Sequence, residues 1–206
     1  MSDREAIFKR LSASLIQVGE KAALPEYEAE LLVARPRLND AGLWENFARN
    51  FAAVNGKPMK SVTEVVSFLK SESVHYGYCD PALSDRFEPA LKEIGVEVVS
   101  AYDKGKYEDY QFGITQAAGA IAETGTVVLT DTLTSDRLGA LTPWIHIAVL
   151  PEAALVETLG EAIASFEANE TNIIWATGPS KTADIEGILI EGVHGPGEQV
   201  CLLDNG

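Results

Sequence analysis

The sequence predicts an α/β domain built on a mostly parallel sheet with helices on both faces, preceded by an N-terminal helical extension. Three observations predict it. Short apolar runs of strand length alternate with segments of helical period, which is the pattern of strands joined by crossover helices. Glycine and proline punctuate these segments where elements should stop. The chain has 206 residues, 46% hydrophobic and 23% charged, enough to bury roughly 70% of its unfolded surface without metal or disulfide support.

The elements follow in order. Residues 3–19 place Ile7, Phe8, Leu11, Leu15 and Val18 on one helical face. Residues 22–39, with Pro25 and Pro36, read as a connector, so residues 1–39 form the extension and 40–206 the main domain. In residues 40–54 the positions Leu43, Trp44, Phe47, Phe51 and Val54 predict a helix stopping near Gly56, and residues 61–70 predict another. Residues 74–78 read as a strand, 82–94 as a helix ending at Gly95, and 96–99 as a strand. Further strands are expected at 112–115, 126–129, 145–150, 173–176, 187–190 and 200–203. Residues 151–166 read as a helix, with Pro151 at its start and Glu152 early. Open sheets of this kind bind ligands in loops at the carboxyl ends of their strands.

The formal net charge is −15. That balance opposes nucleic acid, which needs clustered Lys and Arg, and it opposes an anionic membrane surface. The segment from Trp144 to Val156 is the longest apolar stretch, broken by His146, Pro151 and Glu152, and is short of the ~20 residues a span requires. Met1-Ser2-Asp3-Arg4-Glu5 has no apolar run behind a basic start, so a cytoplasmic location is expected. Cys79 and Cys201 are far apart, without CxxC spacing, so no cofactor cluster is expected within the chain. After residue 110 there are two basic residues, Arg137 and Lys181, against 13 acidic ones.

Both cations fall in or beside glycine- and threonine-rich turns. The first turn, residues 113–126, offers Thr115, Thr124, Gly125 and Thr126 as ligand contacts. Small residues there let backbone approach a ligand, and the hydroxyls donate or accept. Glu123 is its candidate nucleophile or base, or else a turn-bracing carboxylate. The second, residues 131–137, carries Arg137, suited to grip a carboxylate or phosphate bidentately. The third, residues 177–186, presents Thr177, Gly178, Ser180, Lys181, Thr182, Asp184 and Glu186. It follows a buried-looking strand and reads as opening a short helix, a setting that suits anions. It is not a Walker A loop, because Ser180 stands where the second glycine belongs. His194, fenced by Gly192, Gly195 and Pro196, is a further candidate contact, whereas His146 reads as a core or edge histidine.

Taken together, Gly113-Ile114-Thr115, the run Ile121-Ala122-Glu123-Thr124-Gly125-Thr126, Arg137 with Pro143, the segment 177–186 and Gly192-Val193-His194-Gly195-Pro196 resemble the LUD domain family. The resemblance covers roughly the last hundred residues. It implies a fold like the NagB/RpiA/CoA-transferase group and a role in oxidising L-lactate to pyruvate, with iron–sulfur clusters on partner subunits. One position departs, since Ala118 stands where relatives often carry an acid.

Three functions remain open at this level. The chain is a non-redox subunit or accessory of a lactate-oxidising system; or an independent acyl- or CoA-transferase-like enzyme using Glu123; or a regulatory module that binds a small carboxylate. All three share a small anionic ligand, carboxylate or phosphate, held by the turns of the C-terminal half.

Overall fold

The structure is a computed structural model that describes residues 3–16, 38–165, 170, 172–183 and 189–205. The chain divides into two units, Met1–Val33 and Ala34–Gly206. The first contains helix α1 (Asp3–Ile16). Its Ile7, Phe8 and Leu11 are exposed, and the Arg4 guanidinium lies 5.3 Å from the centre of the Phe8 ring. Val18 and nearly all of the expected connector fall outside the described residues.

The second unit opens with α2 (Leu43–Ala53), β1 (Lys57–Met59), α3 (Val62–Ser71), β2 (Tyr76–Cys79), α4 (Ser84–Glu93), β3 (Glu97–Val99) and β4 (Phe112–Gln116). A hairpin follows, β5 (Gly119–Ile121) and β6 (Thr126–Thr130), then α5 (Arg137–Leu141), β7 (Ile145–Pro151), β8 (Leu155–Val156) and α6 (Leu159–Ser165). The chain closes with β9 (Ile173–Ala176), β10 (Lys181–Ala183), β11 (Leu189–Glu191) and β12 (Glu198–Asp204).

Six strands make one sheet in the order β1-β12-β7-β4-β2-β3, and every neighbouring pair in it is parallel. The pleat sorts side chains to two cores. Ile145, Ile147 and Val149 of β7 face α3 and α4, through Val65, Leu69, Phe87 and Leu91. Ala148 and Leu150 face the opposite side, where α2 packs Trp44, Phe47 and Phe51. Those three aromatics fall on one helical face, with ring centres 5.3 Å and 5.2 Å apart. Ser61 caps α3 by accepting the Glu64 N–H at 3.2 Å, while the Glu64 carboxylate returns to the Lys60 N–H at 2.9 Å.

Besides α2 and α5, the second face carries a layer that sequence periodicity does not announce, a four-stranded sheet in the order β8-β5-β6-β9. Its Val127 and Leu129 join the core of α2. This layer corrects the helix expected over 151–166. Residues 152–154 make a single 3-10 turn, Leu155 and Val156 pair in parallel with Ala120 and Ile121, and the helix waits until Leu159. Strand pairing of two apolar residues outweighs the helical start signal at Pro151. The third turn likewise enters a strand, not a helix. Lys181–Ala183 pairs antiparallel with Leu189–Glu191, and the Ser180 N–H is drawn to the Pro196 carbonyl at 2.8 Å.

Candidate functional site

The connections set the position of the first site. From β2 the chain leaves through α4 on one face to reach β3; from β4 it leaves through β5, β6 and α5 on the other face to reach β7. Between β2 and β4 the crossovers diverge, which opens a crevice outside the carboxyl ends of those strands. Asp80 stands at that end of β2 and is 1% exposed. Its Oδ1 accepts the Ala82 N–H at 2.9 Å and Gln116 Nε2 at 3.5 Å, and its Oδ2 accepts the Ser135 N–H at 3.3 Å. Thr134 Oγ1 donates to the Gln116 carbonyl at 3.0 Å. These contacts pin the second turn over the ends of β2 and β4.

The Tyr78 phenol rises from β2 beneath this turn and shares a hydrogen bond with Ser135 Oγ. Burial holds the phenol above its ordinary range, aided by the nearby Asp80 and Asp136 charges and opposed by the Ser135 contact. A cavity of about 440 Å³ lies outside, lined by Lys104, Asp131, Thr134, Ser135, Asp136 and Arg137, a volume within the range of small-molecule sites. Asp136 Oδ1 caps α5 through the Leu138 N–H at 2.8 Å. Arg137 is exposed and makes no ion pair among the described residues, and the same holds for Lys104. The two cations and two acids cancel formally, and the planar guanidinium of Arg137 has the geometry to donate two parallel hydrogen bonds to an oxyanion.

Helix α5 lies flat on the sheet. A Cβ on Gly113 would sit 1.7 Å from the Gly139 carbonyl oxygen, so backbone meets backbone at this point. The far end of α5 opens on a second cavity, about 380 Å³, at the amino ends of β7 and β12. Thr177, Gly178, Ser180 and His194 line it, over His146 and Gln199.

His146 is 1% exposed. Gln199 reaches its Nδ1 with Nε2 at 2.8 Å and Oε1 at 3.2 Å. We assign the shorter contact, an amide N–H donated to Nδ1, which leaves the ring proton on Nε2 to be donated to Thr115 Oγ1 at 2.8 Å. Burial lowers the imidazole pKa from 6.5 to about 4, with the Gln199 contact opposing.

The turns expected to form one site are thus partly joined. Thr124, Thr126 and Thr177 share hydroxyl hydrogen bonds of 2.7 Å each, beside the carboxyl half of α2. Gly125, at φ +64°, packs there with its α-carbon against the Phe51 backbone: a Cβ would meet Phe51 N at 2.3 Å. Thr115 reaches the second cavity through His146. Thr182 lies in the hairpin opposite Ile190. Asp184 and Glu186 fall outside the described residues.

Lys181 lines neither cavity. Its Nζ pairs with Glu191 Oε1 at 3.4 Å, which also accepts Asn55 Nδ2 at 2.7 Å; Asn55 chiefly, then Lys181, holds that carboxyl below the usual range. Exposed pairs contribute little, so Lys181→Ala is expected to leave both Tm and carboxylate affinity unchanged, as calorimetry of the variant would show.

Glu123 is 5% exposed. Its Oε1 accepts the Leu159 N–H at 2.8 Å, tying it to the start of α6, and its Oε2 has no hydrogen-bond partner among the described residues. The two thiols stand on opposite faces of the main sheet, Cys79 toward α4 and Cys201 toward α2; burial pushes Cys79 up to about 12 and Cys201 higher still. No described helix is long and apolar enough to cross a membrane.

Sequence reasoning overlooked Tyr78, Asp80, Lys104 and Ser135. The Asp80-Pro81 step was a readable signal, because a carboxylate where a proline ends a strand sits at the ligand-binding end of an open sheet.

The chain is 36% identical over 113 residues to Lactate utilization protein C of Bacillus subtilis, a match covering 49% of this chain and 47% of that protein. It is 38% identical over 87 residues to the protein of the same name from Deinococcus radiodurans, covering 40% and 41%. The Macrococcus caseolyticus protein of that name is 41% identical over 91 residues, covering 41% and 39%. The chain therefore matches less than half the length of these relatives. A crystal structure of a DUF162 family protein from Deinococcus radiodurans superposes with a TM-score of 0.43 at 19% identity, covering 87% of this chain and 100% of that one. The LUD domain family model matches residues 63–203, from α3 to the end of the main sheet and more than half of the chain, and the chain belongs to the LUD domain family.

Proposed function

We propose that this chain serves lactate utilization as a subunit or accessory protein, holding a small carboxylate in the crevice at the carboxyl ends of β2 and β4. The name its relatives carry, Lactate utilization protein C, supports the pathway. The observation that carries the site is Arg137: a guanidinium at the switch point of the sheet, exposed to a cavity it shares with Lys104 and Ser135, and without an ion pair among the described residues. Carboxylate is the natural partner for such a fork. Two cysteines on opposite faces of a sheet do not share a cluster, so the reading assigns the electron carriers, iron–sulfur clusters, to partner subunits.

The test is titration calorimetry with L-lactate and pyruvate. Arg137→Ala is expected to weaken binding about tenfold to a hundredfold, the loss of a charge-assisted hydrogen bond of ~1.5–3 kcal/mol, at unchanged Tm. A large drop in Tm with unchanged affinity would make Arg137 a structural residue and remove the site. For the subunit role, lactate oxidation is measured with the iron–sulfur partners, with and without this chain. Oxidation by this chain alone, or by the partners equally well without it, would overturn that role.

A further inference from the structure

The crevice offers a second polar group beside Arg137. Ser135 is exposed to the cavity that Arg137 lines, two residues before it in one turn. Its hydroxyl is not free to rotate. The buried Tyr78 phenol holds it from below, and its own N–H is fixed on Asp80 Oδ2 at 3.3 Å. Thr134 donates to the Gln116 carbonyl at 3.0 Å and Thr132 to the Glu170 carboxylate, so of the three hydroxyls in this turn Ser135 is the one left to face a ligand.

We infer that Ser135, positioned by Tyr78, donates a hydrogen bond to an oxygen on C2 of the bound acid, making the crevice selective for short 2-oxygenated carboxylates over plain ones. The direction follows from acidity. A phenol is the stronger donor of the pair, and the surroundings of Tyr78 keep it protonated. Tyr78 therefore donates to Ser135 Oγ, which turns the serine proton outward into the cavity. A donor aimed at the ligand is satisfied by a hydroxyl or keto oxygen and is left unpaired by a methylene, which costs affinity. The inference rests on the carboxylate reading of Arg137 and deepens it.

The probes are propionate, L-lactate and pyruvate, which share a carboxylate and chain length and differ at C2. The wild-type chain is expected to bind the two oxygenated acids more tightly than propionate. Ser135→Ala is expected to erase that preference, weakening lactate and pyruvate roughly fivefold, as for a neutral hydrogen bond, with propionate unchanged. Tyr78→Phe, which keeps the ring in the core, is expected to shrink the preference in the same direction at similar Tm. Arg137→Ala should weaken all three acids alike. If Ser135→Ala lowers all three equally, or none, the C2 contact is wrong while the carboxylate site stands. If the wild-type chain binds none of the three, the carboxylate reading itself falls and the C2 contact with it.

Discussion

Gly113→Ala is expected to lower Tm by on the order of 10 °C. A methyl group at this position would lie 1.7 Å from the Gly139 carbonyl oxygen and 2.9 Å from its carbon. Neither atom belongs to a side chain that swings aside. Gly139 is held in turn, because its own α-carbon rests against the Tyr78 ring, which a Cβ would meet at 2.3 Å. The sheet below is the central pair β4 and β7, whose Phe112, Ile114, Ile145 and Ile147 are at most 1% exposed. Relief therefore has to come from lifting all of α5. Overpacking that moves backbone costs about 3 kcal/mol, and a domain of this size loses roughly 2–4 °C of Tm per kcal/mol. Because Arg137 begins α5 and Ser135 precedes it, carboxylate binding should fall as well, at temperatures where the variant is still folded. Gly160→Ala is the control. Its Cβ would meet nothing closer than Thr158 Oγ1 at 3.9 Å, so in α6 it should stabilise by ~0.4–1 kcal/mol. Thermal unfolding followed by circular dichroism compares the two. An unchanged Tm in Gly113→Ala would mean that α5 is not seated on β4.

The same close approach shows why part of the fold is readable from sequence and part is not. Residues 147–150 are apolar on successive positions because both faces of their strand are covered, and a continuous apolar run is a local signal. The helix at Leu43–Ala53 is equally legible, since Trp44, Phe47 and Phe51 repeat at helical spacing. By contrast, Lys57-Pro58-Met59 forms an edge strand on three residues, with a proline that only an edge tolerates. Pairings of two or three residues, as in β8 and β10, are decided by partners elsewhere in the chain, more than thirty residues upstream for β8, and no local pattern marks them. The first half of the helix expected over 151–166 gave way for that reason, and Leu159–Ser165 remains helical.

The candidate site divides in the same way. Arg137 stands out in sequence as an isolated cation in an acidic half. Its surroundings do not, because Tyr78 and Ser135 are 57 residues apart and Asp80 and Ser135 are 55 apart. Lys104 comes from the loop after β3, in the half of the chain where cations are common, so composition gave it no distinction. Lys181 looked equivalent to Arg137, yet the β10–β11 register sets it directly opposite Glu191, which gives it a local partner.

The largest pH effect should come from His146. In the unfolded chain its pKa is near 6.5, and in the fold it falls to about 4 because the ring is buried without a carboxylate partner. Between those values the unfolded state carries more protons than the folded one, so stability rises with pH across the window. The contribution is complete above pH 6.5, is lost progressively as pH falls, and is gone once pH passes below about 4. The gap converts to about 3 kcal/mol at ~1.4 kcal/mol per pH unit. Urea unfolding of the wild-type chain and of His146→Gln, at several pH values through this window, isolates the effect from the carboxylates that titrate nearby. The substitution itself costs stability, so the informative quantity is the slope. The wild type should lose stability more steeply than the variant as pH falls from 6.5 toward 4. Two parallel curves would mean that the imidazole protonates in place, which requires water to reach it through the cavity beneath Thr177 and His194.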